Sequence, residues 1–373
     1  MNIHFSPQEL AYYSRQMNLQ AIGQAGQHKL KQAHVLCIGA GGLGSAALIY
    51  LAAAGIGTIG IVDDDKVEIS NLHRQILYSY QDIDCKKITI AQEKLQQINP
   101  AIQVITHHTF LTSTNVLSLI EPYDVMIDGS DNFLTRYLVN DACFHLKKPY
   151  VYASVSQFSG QCSVFIPGAG PCFRCLFELP PPAHLIPNCA EGGVFGVLPG
   201  IMGSIQATEA IKLILNIGQS LVGRLLILNA LEMRFNELNI TPNPSCQLCQ
   251  YHQTFDSLSY HDLQIDGVCS SEITVNELQQ LKQQNADFIL LDVREPFEYE
   301  ICNLQGKLIP LNELPHRLSE LNRNQITIIY CKYGERSKRA VNLLMAHHFV
   351  DVRSLNGGMM AWIEQMEPTL QRY

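Results

Sequence analysis

Residues 34–44 read HVLCIGAGGLG, and this stretch decides the fold of the first two thirds of the chain. His34–Ile38 predicts a short buried strand, Gly39–Gly44 a glycine loop, and Ser45–Ala54 a helix. Glycines let a backbone turn tightly and approach a phosphate, and a helix N-terminus supplies N–H donors and positive field. Gly39, Gly41, Gly42 and Gly44 are therefore candidates for contact with a nucleotide. The next strand, Thr58–Val62, delivers Asp63 nineteen residues after Gly44, at the strand end where an acid meets ribose hydroxyls. On its own this fingerprint favours a nicotinamide-dependent dehydrogenase.

Outward from that loop the pattern repeats. Ser6-Pro7-Gln8-Glu9 has the cap, proline and glutamate of a helix start, and the helix should run to about Met17. Lys86–Ile98 reads as a helix ended by Asn99-Pro100, followed by a strand at Ile102–Ile105. A strand at Asp124–Asp128 precedes a helix from about Asn132, and Met202–Ile217 has helical spacing up to Gly218. Strand–helix alternation of this kind implies an α/β fold with a parallel, doubly wound sheet. After a polar stretch the alternation resumes, with a helix at Val275–Gln284, strands at Phe288–Asp292 and Ile326–Tyr330, a helix at Ser337–His347, and Trp362 on a last helix. The expected organisation is a first domain over 1–249, a linker over 250–271 and a small α/β domain over 272–373.

Composition narrows the function classes. The net charge is −8 with no basic run, which argues against nucleic acid or an anionic membrane as partner. The first twenty residues lack the cationic start and apolar run of a signal peptide, and the longest apolar stretch is broken by glycines, so the expected location is cytoplasmic. Twelve cysteines in a chain of this size point to metal binding or thiol chemistry rather than a disulfide scaffold. Cys37, Cys85, Cys143, Cys162, Cys269 and Cys302 follow no pattern and read as inert.

Polar groups gather past two strand ends, in VDDDKVEISNLHRQ (62–75) and DGSDN (128–132), with Arg74 and Lys87 as cation donors. Attack on the α-phosphate of ATP needs concentrated positive charge and a magnesium-binding carboxylate, and hydride transfer does not. Together with YSRQM, GAGGLGS, the lysine before ITIAQEKLQQINP, and DGSDNFLTR, these motifs make residues 5–240 resemble the ubiquitin-activating superfamily. The likeness is to its bacterial-type adenylyltransferase branch, which serves the molybdopterin-synthase and thiamine sulfur carriers. The resemblance implies a Rossmann-like sheet and a homodimer, with Asp63 on the ribose. It further implies Asn71, Arg74, Gln75 and Lys87 on the triphosphate, Asp131 on Mg2+, and Arg15 reaching into a neighbouring subunit's site. The family's Gly-x-x before the lysine is replaced by Asp84-Cys85-Lys86, so Lys87 is chosen over Lys86 by its spacing to INP.

Cys172-x-x-Cys175 and Cys246-x-x-Cys249 suit a closed tetrahedral Zn2+ site. Their separation also allows two redox pairs, although neither is expected at a helix N-terminus of thioredoxin type. The resemblance favours zinc. Cys189 lies in the glycine-rich crossover segment 187–200, where relatives carry a thiol.

Ile326–Tyr330 delivers Cys331 into CKYGERS, a loop followed by a helix. A thiol ringed by N–H groups at a helix N-terminus, beside Lys332 and Arg336, has its anion favoured, and a persulfide anion would be held the same way. Only four residues separate Cys331 from Arg336, one fewer than in the phosphatase loop, which argues for sulfur over phosphate. LLDVREPFEYE, LIPLNELP, IIYCKYGERS and NGGMMAW make residues 272–373 resemble the rhodanese sulfurtransferase domain. The family's usual His-Ile is replaced within Cys302–Lys307, and Asp292 and Arg294 read as scaffold.

An adenylating domain joined to a rhodanese domain implies one reaction sequence. ATP activates the C-terminal glycine of a ubiquitin-like sulfur carrier ending in Gly-Gly, and a Cys331 persulfide then converts it to a thiocarboxylate, with Cys189 resolving the intermediate. A cysteine desulfurase is the expected sulfur donor. The alternatives are an activator that hands a thioester to a conjugating enzyme, and a zinc-clamped oxidoreductase.

Overall fold

The computed structural model describes residues 4–178, 193–251 and 272–373. They fall into two compact units, one reaching residue 251 and one starting at residue 272. Cys189, Cys269 and the expected linker from residue 252 onward lie outside the described residues.

The first unit is built on one sheet of eight strands: β1 (His34–Ile38), β2 (Thr58–Val62), β3 (Gln103–His107), β4 (Val125–Asp128), β5 (Tyr150–Ser156), β6 (Ser159–Phe165), β7 (Arg224–Asn229) and β8 (Arg234–Asn239). Their order is β3-β2-β1-β4-β5-β6-β7-β8. The first five are parallel. The last three are added by antiparallel pairings, β5–β6 and β7–β8 as hairpins and β6–β7 across the long connection that contains the helix Leu198–Leu215, an extension that the strand–helix alternation did not predict. Side chains of β1 alternate between two cores. Val35 and Cys37 pack with Leu48, Ile59 and Ile61, while Leu36 and Ile38 pack with Val116, Tyr137 and Leu138. A strand buried on both faces needs helices on both faces, which is the physical content of double winding.

Helix boundaries follow local chemistry. Ser6 and Glu9 form a reciprocal capping box at the start of Pro7–Met17. The helix after the glycine loop runs Gly42–Ala54, three residues earlier than predicted. Its glycines are poor helix formers, and close packing overrides that preference. A Cβ on Gly44 would lie 2.0 Å from the Gly39 carbonyl oxygen. The later helix runs Leu198–Leu215, also earlier than predicted, because Pro199 occupies the first turn, where a missing N–H costs nothing. Part of the expected loop over 187–200 is thus helical. Among the described residues no helix is long and apolar enough to cross a membrane.

The second unit holds five parallel strands: β9 (Glu272–Ile273), β10 (Ile289–Asp292), β11 (Lys307–Leu308), β12 (Thr327–Tyr330) and β13 (Val352–Leu355), ordered β11-β10-β12-β13-β9. Leu291, Ile329 and Leu344 pack on one face, and Ile328, Tyr330 and Trp362 on the other. The helix after Cys331 runs Glu335–Ala346, two residues earlier than predicted.

Candidate active site

Strand order reverses between β1 and β4, and a doubly wound sheet binds its ligand in the crevice at the carboxyl ends of such a pair. Here two loops meet: a Cβ on Gly39, whose φ is +89°, would lie 2.8 Å from the Gly129 carbonyl oxygen. Glycine is required at this crossing by both conformation and space.

Asp63 fixes the glycine loop. Its carboxylate accepts hydrogen bonds from Ala40 N at 2.8 Å and Asp65 N at 2.9 Å. Burial raises the acid's pKa, and the nearby Lys87 charge opposes that rise. Tyr78 adds a hydroxyl bond to the Ala40 carbonyl at 2.9 Å. Lys87 opens the helix Lys87–Ile98 and is buried, with Nζ 2.7 Å from Asp65 Oδ2. Its neighbour Lys86 is the exposed cap residue. The structure therefore brings Lys87 to Asp63 and Asp65.

Residues 71–75 cover the same loop. Asn71 is buried and closes its own turn through the Glu68 N–H. Arg74 is half-buried and donates to the Ser70 carbonyl at 2.8 Å. Gln75 is buried, its Oε1 has no hydrogen-bond partner among the described residues, and its Nε2 would lie 3.7 Å from a Cβ on Gly41. A buried acceptor without a partner is costly unless a ligand supplies one. Gly42 faces Pro199 and the Arg74 carbonyl.

The two acids past β4 differ sharply. Asp128 is fully buried and takes bonds from Tyr150 Oη at 2.6 Å, Ser130 N at 2.9 Å and Ser130 Oγ at 2.6 Å. Arg136 Nε stands 3.8 Å away, and Gln206 holds the Asp128 carbonyl at 2.6 Å. Burial raises the Asp128 pKa against the Arg136 charge. This network holds the turn that ends in the exposed Asp131. No motif pointed to Tyr150, Arg136 or Gln206, because each comes from a different element. Arg15 is exposed on Pro7–Met17 and makes no hydrogen bond or ion pair among the described residues.

The four patterned cysteines converge. Their sulfurs all lie within 4.8 Å of one another, with Cys172–Cys175 at 3.8 Å, Cys172–Cys246 at 3.6 Å and Cys175–Cys249 at 3.2 Å. A tetrahedral ion bound at ~2.3 Å sets sulfurs ~3.8 Å apart, and a disulfide needs ~2.05 Å, so the arrangement fits metal and excludes a bond. Cys172 stands at the N-cap position of the one-turn helix Phe173–Leu176 but makes no side-chain cap bond there. The turn lets both sulfurs of the pair face the second pair, which is metal-clip geometry. Of the unpatterned cysteines, Cys37, Cys143, Cys162 and Cys302 are buried and Cys85 is exposed.

In the second unit Cys331 sits buried at the end of β12, and its Sγ accepts N–H bonds from Gly334 at 3.1 Å and Ser337 at 3.4 Å. Gly334 turns the loop at φ +110°, a conformation that favours glycine. The NGG motif is explained by the same loop. Met359 N and Met360 N bond the carbonyls of Cys331 and Lys332, and a Cβ on Gly358 would lie 2.4 Å from the former. Arg336 forms a two-pronged ion pair with Glu298, at 2.5 and 2.6 Å. Burial pushes the Glu298 carboxyl up, but Arg336 more than offsets this and leaves it below its ordinary value. Sequence reading counted Arg336 as a cation for the sulfur and overlooked Glu298, which lies 38 residues away in the chain. Asp292 and Arg294 are fully buried and paired at 2.6 Å, which fits the scaffold reading.

Comparison with known proteins fits both units. The ThiF family matches residues 13–248, and the rhodanese-like domain matches residues 274–365. A probable adenylyltransferase/sulfurtransferase MoeZ of Mycobacterium tuberculosis is 42% identical over 99% of this chain and 96% of its own length. The adenylyltransferase and sulfurtransferase MOCS3 of Anopheles gambiae is 39% identical over 98% and 89%. The sulfur carrier protein adenylyltransferase of Thermus thermophilus is 49% identical over 66% of this chain and 93% of its own. Among solved structures, E. coli MccB with ATP superposes at a TM-score of 0.58 with 26% identity, covering 64% of this chain and 74% of that one. With a family match over most of the chain and relatives of this identity along its whole length, the chain belongs to the ThiF family, as an adenylyltransferase and sulfurtransferase whose second unit is a rhodanese-like domain.

Proposed function

We propose that the chain adenylates the C-terminal glycine of a ubiquitin-like sulfur carrier and then converts that carboxylate to a thiocarboxylate with sulfur carried on Cys331. The observation that carries this reading is Cys331 Sγ among inward N–H donors, on the same chain as a glycine-loop crevice containing Asp63 and Lys87. The carrier carboxylate attacks the α-phosphorus of ATP, and pyrophosphate leaves. Gly39, Gly41, Gly42 and Gly44 let the phosphates approach the backbone, Asp63 takes the ribose, and Asn71, Arg74, Gln75 and Lys87 hold the triphosphate. Asp131, exposed at the crevice, holds the magnesium ion that offsets phosphate charge. Arg15 serves the crevice of a second copy in a homodimer.

The terminal sulfur of the Cys331 persulfide then attacks the acyl carbon, and AMP leaves with the oxygen. The Cys189 thiolate then attacks Cys331 Sγ of the resulting acyl disulfide, so that the S–S bond breaks, the thiocarboxylate leaves, and a Cys189–Cys331 disulfide remains for an external thiol to reduce. A cysteine desulfurase in the cytoplasm is the proposed source of persulfide. The two units, 1–249 and 272–373, act as separate domains joined by the linker at 250–271. The test is the intact mass of a Gly-Gly-ended carrier after incubation with enzyme, ATP, magnesium and a sulfur donor. A gain of sulfur for oxygen is expected, and a carrier left as the carboxylate or conjugated through a thioester would overturn the reading.

Cys172, Cys175, Cys246 and Cys249 hold one zinc ion in this scheme, and the closed thiolate site clamps residues 171–176 to 243–251. Elemental analysis is expected to find one zinc per chain. Cys246→Ser should lose it and lower stability by several kcal/mol in urea unfolding, because the metal's binding energy becomes folding energy. Metal-free wild-type protein of undiminished stability would contradict the assignment.

A further inference from the structure

The sulfur-transfer reading gives no part to Glu298, yet this carboxylate holds the arginine of the Cys331 loop. Glu298 lies on the short helix Pro296–Ile301 after β10 and is buried. Its Oε2 accepts the Glu295 N–H at 3.0 Å, which closes the cap of that helix. Oε2 and Oε1 also accept Arg336 Nη1 and Nη2, at 2.5 and 2.6 Å. A carboxylate tied to its own helix cannot follow a wandering side chain, so the guanidinium stays where the helix sets it, and the two-pronged bond fixes its plane.

Arg336 stands on the first turn of Glu335–Ala346, one residue before Ser337. The Ser337 amide nitrogen and hydroxyl oxygen lie 3.4 and 3.6 Å from the Cys331 sulfur. Burial works against the Arg336 charge, the Glu298 carboxylate more than restores it, and the Cys331 sulfur adds to that support. Such coupling is mutual, so the guanidinium favours a sulfur anion in turn. Alone it would favour the anion strongly, and a sulfur whose pKa falls also loses nucleophilicity. Pairing with Glu298 keeps the cation in place and brings the charge of the couple to zero. Lys332, Tyr333, Glu335, Lys338 and Arg339 belong to the same loop and helix, and Asp292, Arg294, Cys302 and Tyr373 flank them. All of these stay when residue 298 is changed, so a change at Cys331 reports on the couple.

We propose that Glu298 is a positioning residue for sulfur transfer: it pins Arg336 beside the Cys331 loop and balances its charge, so that the sulfur anion is held yet stays reactive. The proposal rests on Cys331 being the sulfur carrier. That premise is checked separately, by the mass gain of one sulfur on wild-type Cys331 after exposure to a persulfide donor.

The test is the pH dependence of Cys331 alkylation by iodoacetamide in the full chain, followed on the Cys331 peptide by mass spectrometry. Glu298→Gln is expected to lower the midpoint by about half to one pH unit, and to slow alkylation on the plateau above it roughly two- to threefold. Arg336→Gln, which leaves the carboxylate and removes the cation, should raise the midpoint by a similar amount, and it serves if the Glu298 variant folds poorly. The double variant, with the couple again uncharged, should return close to the wild-type midpoint. A midpoint unmoved by both single changes, or moved by both in one direction, overturns the proposal. A pair that merely stabilised the fold would lower the unfolding temperature of both variants alike and produce no opposite shifts.

Discussion

A chain carrying Cys331→Ala is expected to form carrier adenylate at the wild-type rate and to produce no thiocarboxylate. The substitution removes the only atom that can hold the transferable sulfur in the loop. It leaves the loop itself standing, because the turn is made by backbone: Gly334 at φ +110°, and Met359 N and Met360 N on the carbonyls of residues 331 and 332. All residues assigned to the nucleotide crevice, Arg15 included, lie between Arg15 and Asp131 in the other unit, so pyrophosphate–ATP exchange should be untouched. Intact mass of the carrier separates the two half-reactions. Sulfur gained by the carrier with this variant would show that sulfur arrives by another route and would remove the sulfurtransferase role from the second unit. Arg336→Ala is a less clean probe. The N–H donors would still cradle the sulfur, but Glu298 would be left buried without its partner, and a stability loss would be mixed with any loss of transfer.

Asp131→Ala and Lys87→Ala should each lower carrier-dependent exchange between pyrophosphate and ATP by about 10²–10³-fold, the scale of removing one preorganised charge from a reacting centre. Their side effects differ in an informative way. Asp131 is exposed, so its variant should keep wild-type thermal stability. Lys87 is buried beside Asp65 and within the field of Asp63, so its variant also strands carboxylates and should lose some stability as well as activity. Near-normal exchange by a folded Asp131→Ala protein would end its assignment as the magnesium ligand.

The sequence by itself determined what is local. Glycine spacing, the Ser6–Glu9 cap, the apolar runs at 34–38 and 326–330, and the paired C-x-x-C motifs are short-range signals, each set by backbone geometry within a few residues. They fixed the α/β class, the parallel sheet and the two motif-bearing strand ends, and they named Cys331 and the four clustered thiols, while Lys87 came from the family resemblance and its spacing to INP. Tertiary structure decided what depends on residues far apart in the chain. The glycines at 42–44 are helical because the loop crosses Gly129 and the helix packs on another, which outweighs their poor propensity. The antiparallel strands β6–β8 escaped notice because β5–β6 and β7–β8 are hairpins with no helix between their strands, and β6 meets β7 only across a long connection. Asp128 and Asp131 stand three residues apart in one motif, yet Tyr150 and Arg136 bury one while the other stays exposed. Arg336 read as a cation beside the sulfur, and only folding showed that Glu298 also pairs with it. A charge in sequence has no sign of its partner, and only packing assigns one. For that reason the chemistry of the loops was legible in the sequence, while the groups that hold their charges in place were not.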